Sequence, residues 1–81
     1  MIPKLVDARY IKDYIICLTF SDGTKGKVDF KDELDGEIFE PLRDLGFFKK
    51  FIVNREISTI AWPNGADFAP EFLFEKLQVP V

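Results

Sequence analysis

The sequence predicts an α+β fold: a small, mostly antiparallel sheet of about five strands in the order β-β-β-α-β-β-α, with short helices packed on one face. Three observations predict it. The pair Asp22-Gly23 separates two runs rich in β-branched and aromatic residues, the pattern of a hairpin. A second pair of such runs stops at Pro63-Asn64-Gly65, where proline cannot donate to a ladder and Asn-Gly favours a turn. The stretch Pro70 to Gln78 opens with a proline and continues with good helix formers, as a short final helix does.

Leu5 to Tyr10 mixes apolar and charged residues in near alternation and gives the first strand. Ile15 to Phe20 gives the second, and Thr24 to Phe30 the third. The turn between them is expected to be type I′, with positive φ at both Asp22 and Gly23. On the third strand Gly26, Val28 and Phe30 share one face, and Lys25, Lys27 and Asp29 the other. Asp32 to Asp44 is acidic and broken by Gly36 and Pro41, which limits it to a short helix or turns. Asp44 then reads as the N-cap of a helix over Leu45 to Lys50, weakened by Gly46. Phe51-Ile52-Val53, a turn at Asn54-Arg55, and Glu56 to Trp62 form a second hairpin. Its long strand alternates Ser58, Ile60 and Trp62 with Ile57, Thr59 and Ala61.

Composition sets the outer limits. The 81 residues have room for one domain, taken as 1–81, and a chain this short buries only about 60% of the surface it exposes when unfolded. A hydrophobic share of 47% excludes intrinsic disorder. Net charge is −3, which argues against nucleic acid as a partner. The charge is uneven: residues 1–27 hold five basic and three acidic side chains, and residues 28–46 two basic and seven acidic. The basic third could meet an acidic partner, although solvated faces explain the asymmetry as well. No apolar run approaches the roughly 20 residues that span a bilayer, so no membrane association is expected. Cys17 is the single cysteine and no signal-peptide pattern opens the chain, which points to a reducing, cytoplasmic location.

Catalytic chemistry finds little to work with. There is no histidine, so the commonest general base and transition-metal ligand is missing. Cys17 lies within a strand pattern and reads as a buried, inert thiol. Gly23-Thr24-Lys25-Gly26-Lys27-Val28 lacks the glycine spacing of a phosphate loop. Aligning Gly36 with the turn glycine of a calcium loop puts Lys31 and Leu42 where carboxylates must be. The paired carboxylates Asp32/Asp35 and Asp67/Glu71 have no cleft to face across; Asp67 and Glu71 suit the dipole of the last helix, worth about 0.3–1 kcal/mol each. No catalytic residue, metal site or cofactor is expected, nor an enzyme, with a minimal carboxylate-dependent hydrolase as the remote exception.

Binding has two candidates. Trp62, Asn64 and Asp67 fall on one loop and could line a shallow pocket for a small ligand, making the domain a sensor; the plainer account has Trp62 anchoring the strand end in the core. The other candidate is a set of rings. If Phe47 and Phe51 share a core-facing stripe, Phe48 turns away, and Phe72 and Phe74 cannot both face the sheet. Phe48 and Phe74 are therefore expected at an interface, in a homodimer or a hetero-complex with another protein; the rival account is that bends near Gly46 or Pro70 redirect the rings so that all are buried within one chain.

The segments Leu18-Thr19-Phe20-Ser21-Asp22-Gly23, Val28-Asp29, Phe39 with Pro41-Leu42-Arg43-Asp44, Phe48, and Trp62 through Glu71 with Leu73 together resemble the bacterial "domain of unknown function 2442" family. The resemblance runs from Val6 to Leu77 and implies a small α+β fold with a mostly antiparallel sheet. It carries no activity and no catalytic residues. Some relatives continue into a helix-turn-helix segment and others lie beside genes suspected of encoding toxins, which implies regulatory or antitoxin-like work. The residues up to Val81 hold no such extension, so DNA binding by this domain is not expected.

Overall fold

The computed structural model describes residues 3–78. Five antiparallel strands and two short α-helices make an α+β fold, as the sequence predicts, but the strands divide between two sheets. The first sheet has the order β1-β2-β3, with β1 Leu5–Lys12, β2 Ile15–Phe20 and β3 Lys25–Asp29. The second pairs β4 Ile52–Asn54 with β5 Thr59–Ala61. β1 lies beside this small sheet, and the Leu5 N–H donates to the Ser58 carbonyl at 3.3 Å.

β1 bulges twice. Leu5 pairs with Phe20 but Asp7 with Thr19, and Tyr10 pairs with Ile16 but Lys12 with Ile15, so Val6 and Ile11 are the extra residues. Each bulge bends and twists an edge strand, which discourages further strand addition there.

The β2–β3 turn differs from expectation in type. Gly23 has φ +91°, but Asp22 does not share the left-handed conformation. The Gly23 N–H donates to the Phe20 carbonyl at 3.0 Å, and the Phe20 N–H to the Thr24 carbonyl at 2.8 Å. The central pair is thus Ser21-Asp22, and Gly23 is the left-handed bulge residue that follows it. Asp22 Oδ1 accepts from the Thr24 N–H at 2.9 Å, a local bond that holds this register and lowers the Asp22 pKa.

Residues 31–44 form two 3₁₀ turns, Lys31–Glu33 and Glu40–Arg43. Arg43 holds them together: its Nε–H donates to the Leu34 carbonyl at 3.0 Å and its guanidinium meets Asp35 at 3.1 Å. The Tyr14 hydroxyl donates to the Arg43 carbonyl, tying the loop to the β1–β2 hairpin. Helix α1, Leu45–Phe48, is a single turn. Asp44 occupies its N-cap position, yet only its carbonyl is used, by the Phe47 and Phe48 N–H groups, and its carboxylate makes no capping bond.

The second hairpin turns over Arg55–Ser58 rather than at Asn54-Arg55. Asn54 Oδ1 accepts from the Glu56 N–H at 2.9 Å, and Ser58 takes the left-handed conformation. The expected alternation from Ser58 to Trp62 is absent because Thr59, Ile60 and Ala61 are all buried, covered on both sides. The Thr59 hydroxyl is satisfied there by the Phe68 carbonyl.

Helix α2, Pro70–Gln78, closes the core. Leu73 is fully buried and Leu77 lies over Gly26 of β3. At about 100° per residue, Phe72 and Phe74 flank Leu73 on opposite sides, so each can lean into a different wall. Phe72 stacks on Phe68 at 5.5 Å and Phe74 meets Phe20 edge-on at 5.3 Å. Lys76 and Glu33 form a half-buried ion pair that joins α2 to the first 3₁₀ turn.

Candidate functional site

The loop after β5 is built for packing. Gly65, at φ +90°, donates its N–H to the Trp62 carbonyl at 3.0 Å, and the Trp62 N–H donates to the Ala66 carbonyl at 2.9 Å. This closed turn sends the indole inward, where 3% of Trp62 is exposed. Its Nε1–H donates to the Phe48 carbonyl at 2.8 Å, and its ring lies 5.8 Å from both Phe48 and Phe68. Asn64 uses both ends of its amide: Oδ1 accepts from the Ala66 N–H at 3.1 Å and Nδ2 donates to the Ile38 carbonyl at 2.8 Å. Asp67 is exposed, paired with Ala61 in an isolated bridge, and precedes α2 by three residues, so only Glu71 lies in the first helical turn.

Trp62, Asn64 and Asp67 therefore do not converge: one faces the core, one staples two loops and one faces solvent. The rings expected at an interface are also placed differently. Phe48 is 0% exposed and sits among Tyr10, Tyr14, Phe30 and Trp62, which corrects the expectation that it turns outward. A single-turn helix does not impose a continuous stripe, so Phe47 and Phe51 stay half-buried while Phe48 takes the centre. Phe74 is half-buried against Phe20.

Among the described residues, no group of three or more His, Cys, Asp or Glu is arranged to hold a metal ion, and no helix is long and apolar enough to cross a membrane.

The surface organises different residues. The inner face of the first sheet buries Ile16, Leu18 and Phe20, which leaves Ile15, Cys17 and Thr19 on the outer face. Cys17 is half-exposed there, not buried, because only one side of this sheet is covered. Its neighbours in register are Arg9 on β1 and Lys27 on β3. The exposed large aliphatics are Val6 and Ile11 of the β1 bulges, Ile52 and Ile57 of the β4–β5 hairpin, and, elsewhere, Ile38 and Leu45; Ile52 is the most exposed, by 59%.

A family model described as "Protein of unknown function (DUF2442)" matches residues 5–78. The chain belongs to the DUF2442 family. The match runs from the first residue of β1 to the last of α2, so every element above is part of the DUF2442 unit. No curated protein and no solved structure matches the chain.

The structural roles of two residues of the DUF2442 unit have little or no signal in the sequence. Arg43 falls within the Pro41-Leu42-Arg43-Asp44 segment that carries the resemblance, but its bonds to Leu34 and Asp35 depend on how residues 31–44 fold. Thr59 gave no signal, since its burial depends on coverage from both sides.

Proposed function

We propose that this DUF2442 chain is a non-catalytic protein-interaction module, a regulatory accessory subunit of antitoxin-like kind that works in the bacterial cytoplasm. The observation that carries this reading is the exposed aliphatic set Val6, Ile11, Ile52 and Ile57, on β1 and on the hairpin that lies against it. Single exposed aliphatics are ordinary on a monomer, but several on adjoining elements of a very small domain favour a contact surface. Trp62 and Asn64 are engaged in packing and loop closure, which supports a role for the surface rather than for the loop after β5.

A second copy is the simplest cover for such a set, through a two-fold interface. Light scattering tests it: a dimer has a mass of 18.8 kDa (2 × 9.4), and Ile52→Lys should return it to 9.4 kDa with an unchanged far-UV circular dichroism spectrum and a melting temperature that no longer depends on concentration. A wild-type mass of 9.4 kDa at every concentration rejects the homodimer.

A further inference from the structure

We propose that the outer face of the β1-β2-β3 sheet is a docking surface for an extended acidic segment of another protein. This names a partner class for the interaction module above and rests on that reading, but it uses a different surface.

The face consists of three rows in register: Lys12–Ile15–Asp29, Arg9–Cys17–Lys27 and Asp7–Thr19–Lys25. It carries four cations against two carboxylates, and both carboxylates are engaged within the chain. Asp7 accepts from Arg9 Nε at 3.1 Å, and Asp29 Oδ1 accepts from the Lys31 N–H at 2.9 Å. The ion pairs among the described residues leave Lys12, Lys25 and Lys27 without an acidic partner. Such a face is notable in a chain of net charge −3 whose acidic excess collects in residues 28–46. With 7 basic and 12 acidic side chains in the rest of the sequence, the excess of cations on this face gives an acidic partner a preferred side from which to approach.

Shape supports the same occupant. Cys17 and Thr19 are short; in register Arg9 flanks Cys17 from β1, and Lys27 and Lys25 flank the pair from β3, so side-chain length outlines a shallow trough along β2. Strands lie about 4.8 Å apart, so Arg9 and Lys27 flank the trough at roughly 10 Å. Lys25 and Lys27 repeat along β3 at about 6.7 Å, the spacing at which an extended segment presents every second side chain. Carboxylates at alternate positions therefore match them in register. A nucleic acid fits less well, because the three rows of this face carry no aromatic ring for base stacking.

Cys17, the single cysteine, lies on the floor of the trough and reports its occupancy. The experiment follows alkylation of Cys17 by iodoacetamide, a neutral reagent, with an alternating Glu-Thr peptide, a Lys-Thr peptide or oligothymidine added. The expected result is slowing by at least about five-fold with the Glu-Thr peptide alone at about 50 mM salt, lost at about 500 mM. The double variant Lys25→Glu, Lys27→Glu should melt like the wild type and show no protection. Absence of protection at low salt, equal protection in the double variant, or stronger protection by oligothymidine overturns the proposal. A chain that dimerises through its aliphatic set but shows no protection keeps the interaction reading and loses this face.

Discussion

Replacing Trp62 with Phe separates a structural indole from a ligand-binding one. Trp62 is 3% exposed, and its Nε1–H is the donor to the buried Phe48 carbonyl. Phenylalanine keeps a ring in place but removes that donor, which costs about 1–3 kcal/mol for the carbonyl left unsatisfied. The smaller ring adds a cavity term on the order of 1 kcal/mol. The sum, about 2–4 kcal/mol, is a large share of the total for a domain of this size, roughly 4–12 kcal/mol at 0.05–0.15 per residue. Urea unfolding followed by far-UV circular dichroism is the suitable assay, because the variant has lost the only tryptophan. The midpoint should fall sharply with an unchanged slope. A change within about 0.5 kcal/mol, typical of surface substitutions, would refute the core placement and return Trp62 to the list of binding residues.

Three further outcomes follow from the geometry. Gly23→Ala should cost about 1–2 kcal/mol, all of it backbone strain, because a Cβ at φ +91° meets nothing within 4 Å; an unchanged melting temperature would disprove the bulge. The carboxyl of Asp22 should titrate below the ordinary aspartate range by NMR, since the Thr24 N–H and hydroxyl bond to its charged form. Its folded-state pKa is depressed, so its stabilising contribution is present above the unfolded value and fades as pH falls through the folded one; a normal titration with a static Thr24 amide shift would contradict this. Arg43→Ala should cost about 1–2 kcal/mol, and Arg43→Lys nearly as much, since lysine cannot reach the Leu34 carbonyl and Asp35 with one planar fork. Full stability of the lysine variant would mean that charge alone organises the loop.

The first sheet was legible because its signals are local. Ile16, Leu18 and Phe20 alternate with Ile15, Cys17 and Thr19, and Asp22-Gly23 marks the turn. The alternation also held the answer for Cys17, but only once the sheet is known to be covered on one side. Placement of the rings was not legible. Phe48 reaches the centre because α1 stops after one turn, and Phe72 and Phe74 both pack because α2 lies between two walls. The division into two sheets was equally hidden, since it depends on where β1 meets the second hairpin. The candidate loop was distinctive in sequence for reasons of packing: Trp62 needed an acceptor and Asn64 a second loop, and both were far away in the chain.

Helix α2 is the last element of the unit in chain order, yet it covers Gly26 of β3, meets Phe20 at the end of β2 and stacks on Phe68 beyond β5. On the ribosome, therefore, both sheets can be drafted but not finished: until Leu73 and its neighbours leave the exit tunnel, the walls that receive them stay wet. A nascent chain halted before Pro70 presents that unfilled groove to chaperones and proteases. The exposure of the DUF2442 unit to quality control during synthesis follows the emergence of this nine-residue helix.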